Sequence, residues 1–255
     1  MLSKNKIKFI QSLNRKKIRE QENVFLVEGN KMVLEAISSD FPVQLICGTA
    51  DFFSENNISE LAADEQIECS LEELKKASLL QNPQQALAVV KITEERTTVA
   101  QLINTFSLAL DFVQDPGNLG TIIRIADWFG IKHLLCSINT VDCYNPKVIQ
   151  ASMGAIFRVK IQYLDLADLL DEATQNQLPA YGTFLEGDNI YQSELSSNGI
   201  LVMGNEGKGI SPSIEKKIQQ KIHIPSFAEG NSGSESLNVA TATAICCSEF
   251  KRRIF

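Results

Sequence analysis

The chain has 255 residues, 44% of them hydrophobic and 22% charged, with a net charge of −7. This is the composition of an ordinary soluble globular protein, large enough for one big domain or two modest ones. The negative balance excludes indiscriminate nucleic-acid binding by the whole surface.

No run approaches the roughly 20 consecutive apolar residues that span a bilayer, and the amino terminus MLSKNKIKFI lacks the apolar core of a signal peptide, so a cytoplasmic location without membrane contact is expected. Six cysteines, at 47, 69, 136, 143, 246 and 247, form no CxxC pair and no metal-ligand spacing. They read as reduced core residues, with no metal site. His133 and His223 both lie in apolar strand-like runs with no partner acid or nucleophile at a telling spacing. The first nineteen residues, by contrast, carry seven cations (Lys4, Lys6, Lys8, Arg15, Lys16, Lys17 and Arg19) and no Asp or Glu. Such a face is either an electrostatic footprint for phosphate or a solvated helix surface.

Residues 3–20 predict one or two short helices, with Ile7, Ile10 and Leu13 at helical spacing. Strands follow at 24–27, 43–47, 67–69 and 87–92, with helices at 31–37 and 71–80, the latter opened by a Ser70/Glu73 capping-box spacing. The polar stretch 93–98 is the expected linker. Beyond it the spacing predicts strands at 108–113, 133–137, 159–163, 180–184, 200–203 and 221–224. Helices are expected at 119–129, 146–152, 166–173, 211–219 and 237–250. Short apolar strands alternating with helices predict an α/β domain with a mostly parallel sheet covered on both faces, after a smaller α/β layer of about ninety residues.

Three stretches carry chemistry. In the first, DFVQDPGNLGTIIRIADWFG, Asn118 stands where a helix N-cap is expected, and Arg124 enters an otherwise apolar helix six residues later. An arginine there needs an acceptor, either a structural salt bridge to Asp127 or Asp111 or a ligand. The second is Gly204-Asn205-Glu206-Gly207-Lys208-Gly209 after an apolar strand. Its glycines let backbone approach a ligand, but it is neither a P-loop nor a GxGxxG dinucleotide turn, and a plain tight turn gives the same letters. The third is Ile224-Pro225, a loop of small polar residues, and Ser236-Leu237-Asn238, where Ser236 is a candidate cap for the last helix.

In order and spacing these three motifs resemble those of the SpoU (TrmH-like) RNA ribose 2′-O-methyltransferases of the SPOUT superfamily. The N-terminal part is similar to the substrate-binding domain that often precedes the catalytic one. The resemblance implies an RNA substrate-binding domain at 1–95 and a SPOUT methyltransferase domain at 96–255, with a C-terminal trefoil knot. It implies S-adenosyl-L-methionine as cofactor, held by backbone around Thr183, Gly204, Gly209, Ile224 and Leu237. The implied catalytic group is Asn118, Arg124, Glu206, Ser236 and Asn238. Arg124 is expected to grip an RNA phosphate, with Asn118 and Glu206 fixing its rotamer and Arg124 of one subunit acting near the cofactor of the other in a homodimer. RNA, with ribosomal RNA favoured over transfer RNA, and not DNA, is the implied substrate, because the chemistry needs a 2′-hydroxyl. The N-terminal cations Lys4, Lys6, Lys8, Arg15, Lys16, Lys17 and Arg19 are then RNA contacts. A non-catalytic RNA-binding or ribosome-assembly factor that retains the fold is the alternative. One departure from the family pattern is the loop after Pro225, longer than the common form and with Ser226 where methionine is frequent.

Overall fold

The computed structural model describes residues 1–93, 96–227 and 236–253. In chain order its first elements are α1 (Lys4–Ser12), α2 (Lys16–Glu22), β1 (Val24–Glu28), α3 (Asn30–Ile37), β2 (Val43–Gly48), α4 (Ala50–Asn56), β3 (Glu65–Glu68), α5 (Leu71–Ala77) and β4 (Ala86–Lys91). They continue with α6 (Val99–Leu102), β5 (Phe106–Leu110), α7 (Pro116–Trp128), β6 (His133–Ser137), α8 (Pro146–Ser152), β7 (Lys160–Leu164), α9 (Leu166–Gln175), β8 (Ala180–Asn189), β9 (Gly199–Met203), α10 (Pro212–Glu215), β10 (Gln220–His223) and α11 (Val239–Arg252). Of the expected linker at 93–98, residues 94 and 95 lie outside the described residues.

The chain divides into two compact units, one made of 1–94 with 142–158 and the other of 95–141 with 159–255. The first holds a four-stranded sheet in the order β1-β4-β2-β3, antiparallel except for the parallel β2–β3 pair. Period-two alternation in β1 decides its two faces. Val24 and Leu26 join Ile10, Leu13 and Leu74 in a core beneath α1 and α5. Phe25 points the other way, against Phe41, Tyr144 and Phe157, its ring 4.6 Å from that of Tyr144. Residues 142–158 therefore fill this unit's second apolar face, although in sequence they follow β6. The Ser70/Glu73 capping box forms as the spacing predicts, and α4 starts where the Thr49 side chain accepts the N–H of Phe52.

The second unit is built on six parallel strands in the order β10-β8-β9-β5-β6-β7. Its central strands are nearly continuous apolar runs, as burial on both faces demands: β5 and β9 are buried at every position, while the edge strands β7 and β10 are more polar and exposed. From β5 the chain steps through β6 to β7, then returns to the other side of β5 for β8, β9 and β10. The order reverses between β5 and β9, so their carboxyl ends mark the switch point at which open parallel sheets bind ligands. The structure departs from the expected elements in two places here. β8 runs on to Asn189 instead of stopping at Phe184, because its later residues pair with β10 through a register shift. The helix expected at 211–219 shortens to α10, since Gln219 and Gln220 turn back to the sheet, where the Gln219 N–H donates to Ala180 O at 3.1 Å.

Candidate functional site

At the β5–β9 switch point the Asp111 N–H donates to Met203 O at 2.8 Å, joining the two strand ends. Asp115 then caps α7, its Oδ1 accepting the Asn118 N–H at 2.8 Å, with Pro116 in the first turn. Asn118 is thus inside the helix and not its cap, because an Asp-Pro pair starts the helix three residues earlier. That shift frees the Asn118 side chain for other partners.

Glu206 is the chief partner. Its Oε1 accepts from Asn118 Nδ2 at 3.0 Å and the Asp115 N–H at 3.2 Å; its Oε2 accepts from Asn205 Nδ2 at 3.3 Å and the Gln114 N–H at 3.4 Å. Because a carboxylate only accepts, it fixes which end of the Asn118 amide faces it. Asn118 Oδ1 is left to accept from Asn238 Nδ2 at 2.8 Å. Asn238 Oδ1 then caps α11, accepting from the N–H groups of Ala240 at 2.9 Å and Thr241 at 3.2 Å. One anion so polarises a relay of two amides that ends on the amino terminus of α11. The expectation that Ser236 caps this helix is corrected: Asn238 does so, and Ser236 is exposed with no hydrogen bond among the described residues.

The glycine loop is braced from within. Asn205 Oδ1 accepts the N–H groups of Gly207 and Lys208, each at 3.0 Å, while Asn205 and Gly209 exchange backbone bonds of 2.9 Å. Asn205 Nδ2 also donates to Phe112 O at 2.8 Å. Phe112 has φ of 65°, costly for an aromatic residue, and is held there by that bond and by its own N–H donating to Ser137 Oγ at 2.9 Å. Gly204 has no room for a side chain: a Cβ would stand 2.2 Å from the carbonyl carbon of Gly209 and 2.3 Å from the nitrogen of Ile210. Gly209 has φ of +69° and open space where its side chain would be. Sequence reasoning missed Asn205, Asp115 and Phe112. The turn-forming habits of Asn before Glu-Gly and of Asp before Pro were the available signals for the first two.

The structure thus brings together Asn118, Glu206 and Asn238, and separately Gly204 and Gly209. Arg124 is not in that network. It lies on the exposed side of α7 with Gly117, Thr121 and Trp128, about 9 Å along the axis from Asn118 at about 1.5 Å per residue. It makes no hydrogen bond or ion pair among the described residues. Of the two alternatives for its acceptor, the salt bridge to Asp127 or Asp111 does not form among the described residues; the Asp111 carboxylate accepts the Ser211 N–H at 2.7 Å. Nor do Asn118 and Glu206 hold the Arg124 side chain, since their bonds run to each other, to the Asn205 and Asn238 side chains and to backbone. Thr183 follows the last β8–β9 pair and donates to Val202 O at 3.4 Å. Ile224 follows β10 and is half-buried, and Leu237 precedes α11 and is 50% exposed. Residues 228–235 of the long loop lie outside the described residues.

In the first unit, Lys4, Lys8, Arg15, Lys16 and Lys17 are exposed on α1, α2 and the turn between them. Lys16 is 3.5 Å from Glu20 on the same helix. Two expected RNA contacts are otherwise engaged. Lys6 pairs with Glu65, and Arg19 is only 2% exposed, its guanidinium paired with Asp142. A side chain so enclosed does not reach a phosphate, and Arg19 is withdrawn from the RNA-contacting set. The six cysteines are all buried thiols; burial pushes Cys47 up to about 12 and Cys69 up to about 11, which leaves them protonated and inert. Among the described residues no group of three or more His, Cys, Asp or Glu is placed to hold a metal, and no helix is long and apolar enough to cross a membrane.

Comparison with known proteins gives the site a context. Residues 105–248 match the SpoU rRNA Methylase family, and residues 4–88 match the MRM3-like substrate binding domain. A 23S rRNA guanosine 2′-O-methyltransferase of Bacillus subtilis, RlmP, is 32% identical over 244 residues, covering 94% of this chain and 93% of its own. The mitochondrial rRNA methyltransferase 3 of Xenopus laevis is 32% identical over 181 residues, 68% of this chain but 42% of that protein. A solved TrmH-family structure from Porphyromonas gingivalis superposes with a TM-score of 0.89 at 40% identity, covering 99% of both chains. The SpoU methyltransferase AviRb of Streptomyces viridochromogenes, solved with its cofactor AdoMet, shares the fold at a TM-score of 0.82 and 22% identity, covering 99% of this chain and 98% of its own.

Proposed function

We propose a function from this premise: the chain belongs to the SpoU rRNA methylase family. It transfers the methyl group of S-adenosyl-L-methionine to a ribose 2′-hydroxyl of structured RNA, ribosomal RNA before transfer RNA: the sulfonium carbon–sulfur bond breaks as the carbon–oxygen bond forms, and the hydroxyl proton passes to water. The observation that carries the reading is the hydrogen-bonded relay from Glu206 through Asn118 to Asn238, which joins three sequence-distant motifs at the switch point of the sheet.

The residues present suit the cofactor. Gly209 leaves open space beside the loop, Ile224 and Leu237 supply apolar surface for a purine, and strand-end backbone supplies hydrogen-bonding groups. Backbone around Thr183, Gly204, Gly209, Ile224 and Leu237 would hold it. When bound, it supplies an electrophilic sulfonium methyl. The protein's task is then to hold the ribose hydroxyl in line with that carbon and to exclude competing geometries. Glu206, already accepting four hydrogen bonds, acts as a brace and not as a base. Asn118 and Asn238 present amides whose orientation the brace has set. Arg124, exposed and without an ion pair among the described residues, offers a planar guanidinium to an RNA phosphate and so orients the neighbouring 2′-hydroxyl. Ser236, exposed beside Asn238, is a further polar group for the ribose.

The same reading includes a trefoil knot in the segment 200–248, a homodimer in which Arg124 of one subunit serves the partner's cofactor site, and a cytoplasmic location. Residues 1–95 serve as the RNA-binding part, and Lys4, Lys8, Arg15, Lys16 and Lys17 make sequence-independent phosphate contacts. DNA is excluded as substrate by its lack of a 2′-hydroxyl. Calorimetric titration with S-adenosyl-L-methionine tests the reading against a non-catalytic RNA-binding protein of the same fold. Binding at one site per chain is expected; no binding, with RNA affinity intact, overturns the enzymatic reading.

A further inference from the structure

In the first unit, the buried Arg19 donates through Nη1 to the carbonyls of Leu13 at 2.7 Å and Asn14 at 3.0 Å, and its Nη2 pairs with one carboxylate oxygen of Asp142. The other oxygen of Asp142 accepts the Tyr144 N–H at 3.0 Å. With both partners held on two sides, the pair is a stiff joint, and loss of Asp142 leaves the charge of the buried Arg19 uncompensated. As a source of stability such a pair is poor, because its desolvation offsets its attraction. Its geometry is therefore the property to explain.

Asp142 begins the segment that belongs to the first unit, and Val141, one peptide bond earlier, belongs to the second. Inside the second unit the Val141 N–H donates to Val113 O at 2.9 Å, and Thr140 Oγ1 donates to Leu110 O at 3.1 Å. The two residues after Val113, Gln114 and Asp115, are those whose N–H groups donate to Glu206. The sequence of links is Arg19 to Asp142, one peptide bond to Val141, Val141 to Val113, one peptide bond to Gln114, and Gln114 to Glu206. Every link is a covalent bond or a hydrogen bond inside one unit.

We propose that Arg19 and Asp142 are positioning residues for methyl transfer. They fix the 141–142 peptide, so that Val141 pins Val113 and the amides of Gln114 and Asp115 stay aimed at the Glu206 brace. The inference rests on the reading of Asn118, Glu206 and Asn238 as the methyl-transfer site. It explains why an arginine in the basic amino-terminal run is buried and committed to an acid from a distant part of the chain.

The full-length protein carrying Asp142→Asn, which keeps the side chain's shape, is compared with wild type and with Arg19→Met at saturating S-adenosyl-L-methionine and varied ribosomal RNA. We expect kcat to fall about tenfold with KM for RNA within about twofold, the size of effect that such coupled networks carry. Amide exchange in the peptide 113–118 is expected to quicken about tenfold in the same variants. Both changes are required; a wild-type kcat, a change confined to KM, or unchanged exchange each overturns the proposal. Should Arg19→Met fail to fold, Asp142→Asn decides alone. If the wild-type protein itself transfers no methyl group, the functional reading has failed, and exchange at 113–118 still decides whether the joint holds the turn.

Discussion

Replacing Glu206 by glutamine changes one oxygen to an amino group and almost nothing in shape, which makes it a sharp test of the brace. Oε1 serves Asn118 and Asp115, and Oε2 serves Asn205 and Gln114. However the new amide is set, two of these four donors face an NH₂ instead of an acceptor. A hydrogen bond to a charged group contributes about 1.5–3 kcal/mol when protected, but Glu206 is exposed and water replaces part of each loss, so about 1 kcal/mol apiece is the fair figure. Two such losses amount to about 2 kcal/mol, or about thirtyfold in kcat/KM. The global fold should survive, because the site's loops and not its core bear the change. Transfer of labelled methyl groups to ribosomal RNA, with circular dichroism as the control for folding, measures the effect. A variant whose kcat/KM stays within about twofold of wild type would refute the argument that an anion orients the relay.

Gly204→Ala should destabilise the protein by about 2–3 kcal/mol in chemical denaturation, because the added carbon collides with backbone on both Gly209 and Ile210 and no side chain is there to move. Arg124→Lys should leave the melting temperature unchanged, since Arg124 is exposed and makes no ion pair among the described residues, yet lower methylation at least tenfold because the planar guanidinium no longer meets the phosphate; near wild-type turnover contradicts that role. Burial raises the Glu28 carboxyl above its ordinary value of 4.5, so the native state binds that proton more tightly than the unfolded chain does. Stability from this group is present below 4.5 and is lost as pH rises through the window above it. Glu28→Gln should therefore melt higher than wild type near about pH 8, by a margin that closes below the carboxyl's ordinary range. Replacing Lys4, Lys8, Lys16 and Lys17 together by alanine should weaken RNA binding and flatten its salt dependence, by about 0.7–0.9 in log–log slope for each phosphate left unneutralised; an unchanged slope removes these side chains from the interface.

Elements with local signals were legible in the sequence. The strand at His133–Ser137 and the helix at Pro146–Ser152 need only an apolar run in one case and an Asn cap followed by proline in the other. Pairings across the chain were not. Asn118 meets Glu206 across 88 residues and Asn238 across 120, and no periodicity carries that distance. The motifs could be grouped by likeness to a family, but their hydrogen bonds could not. The same limit governs the two arginines. Arg19 reads as one more cation on a solvated face, yet it is buried because its acid lies 123 residues away. Arg124 reads as a candidate salt bridge, yet among the described residues it makes no hydrogen bond or ion pair, and the Asp111 carboxylate accepts the Ser211 amide. Two helix starts fell on other cap residues of the same chemistry: Asp115 caps α7 and not Asn118, and Asn238 caps α11 and not Ser236.

The central claim is chemical, that this chain methylates a ribose hydroxyl of RNA. Mass spectrometry of nucleosides from ribosomal RNA incubated with the purified protein and S-adenosyl-L-methionine tests it most directly. A new 2′-O-methylated nucleoside is expected with wild-type protein, and its near loss with Glu206→Gln. Methyl groups found only on bases, or no methylated nucleoside at all from protein that binds the cofactor, would contradict it.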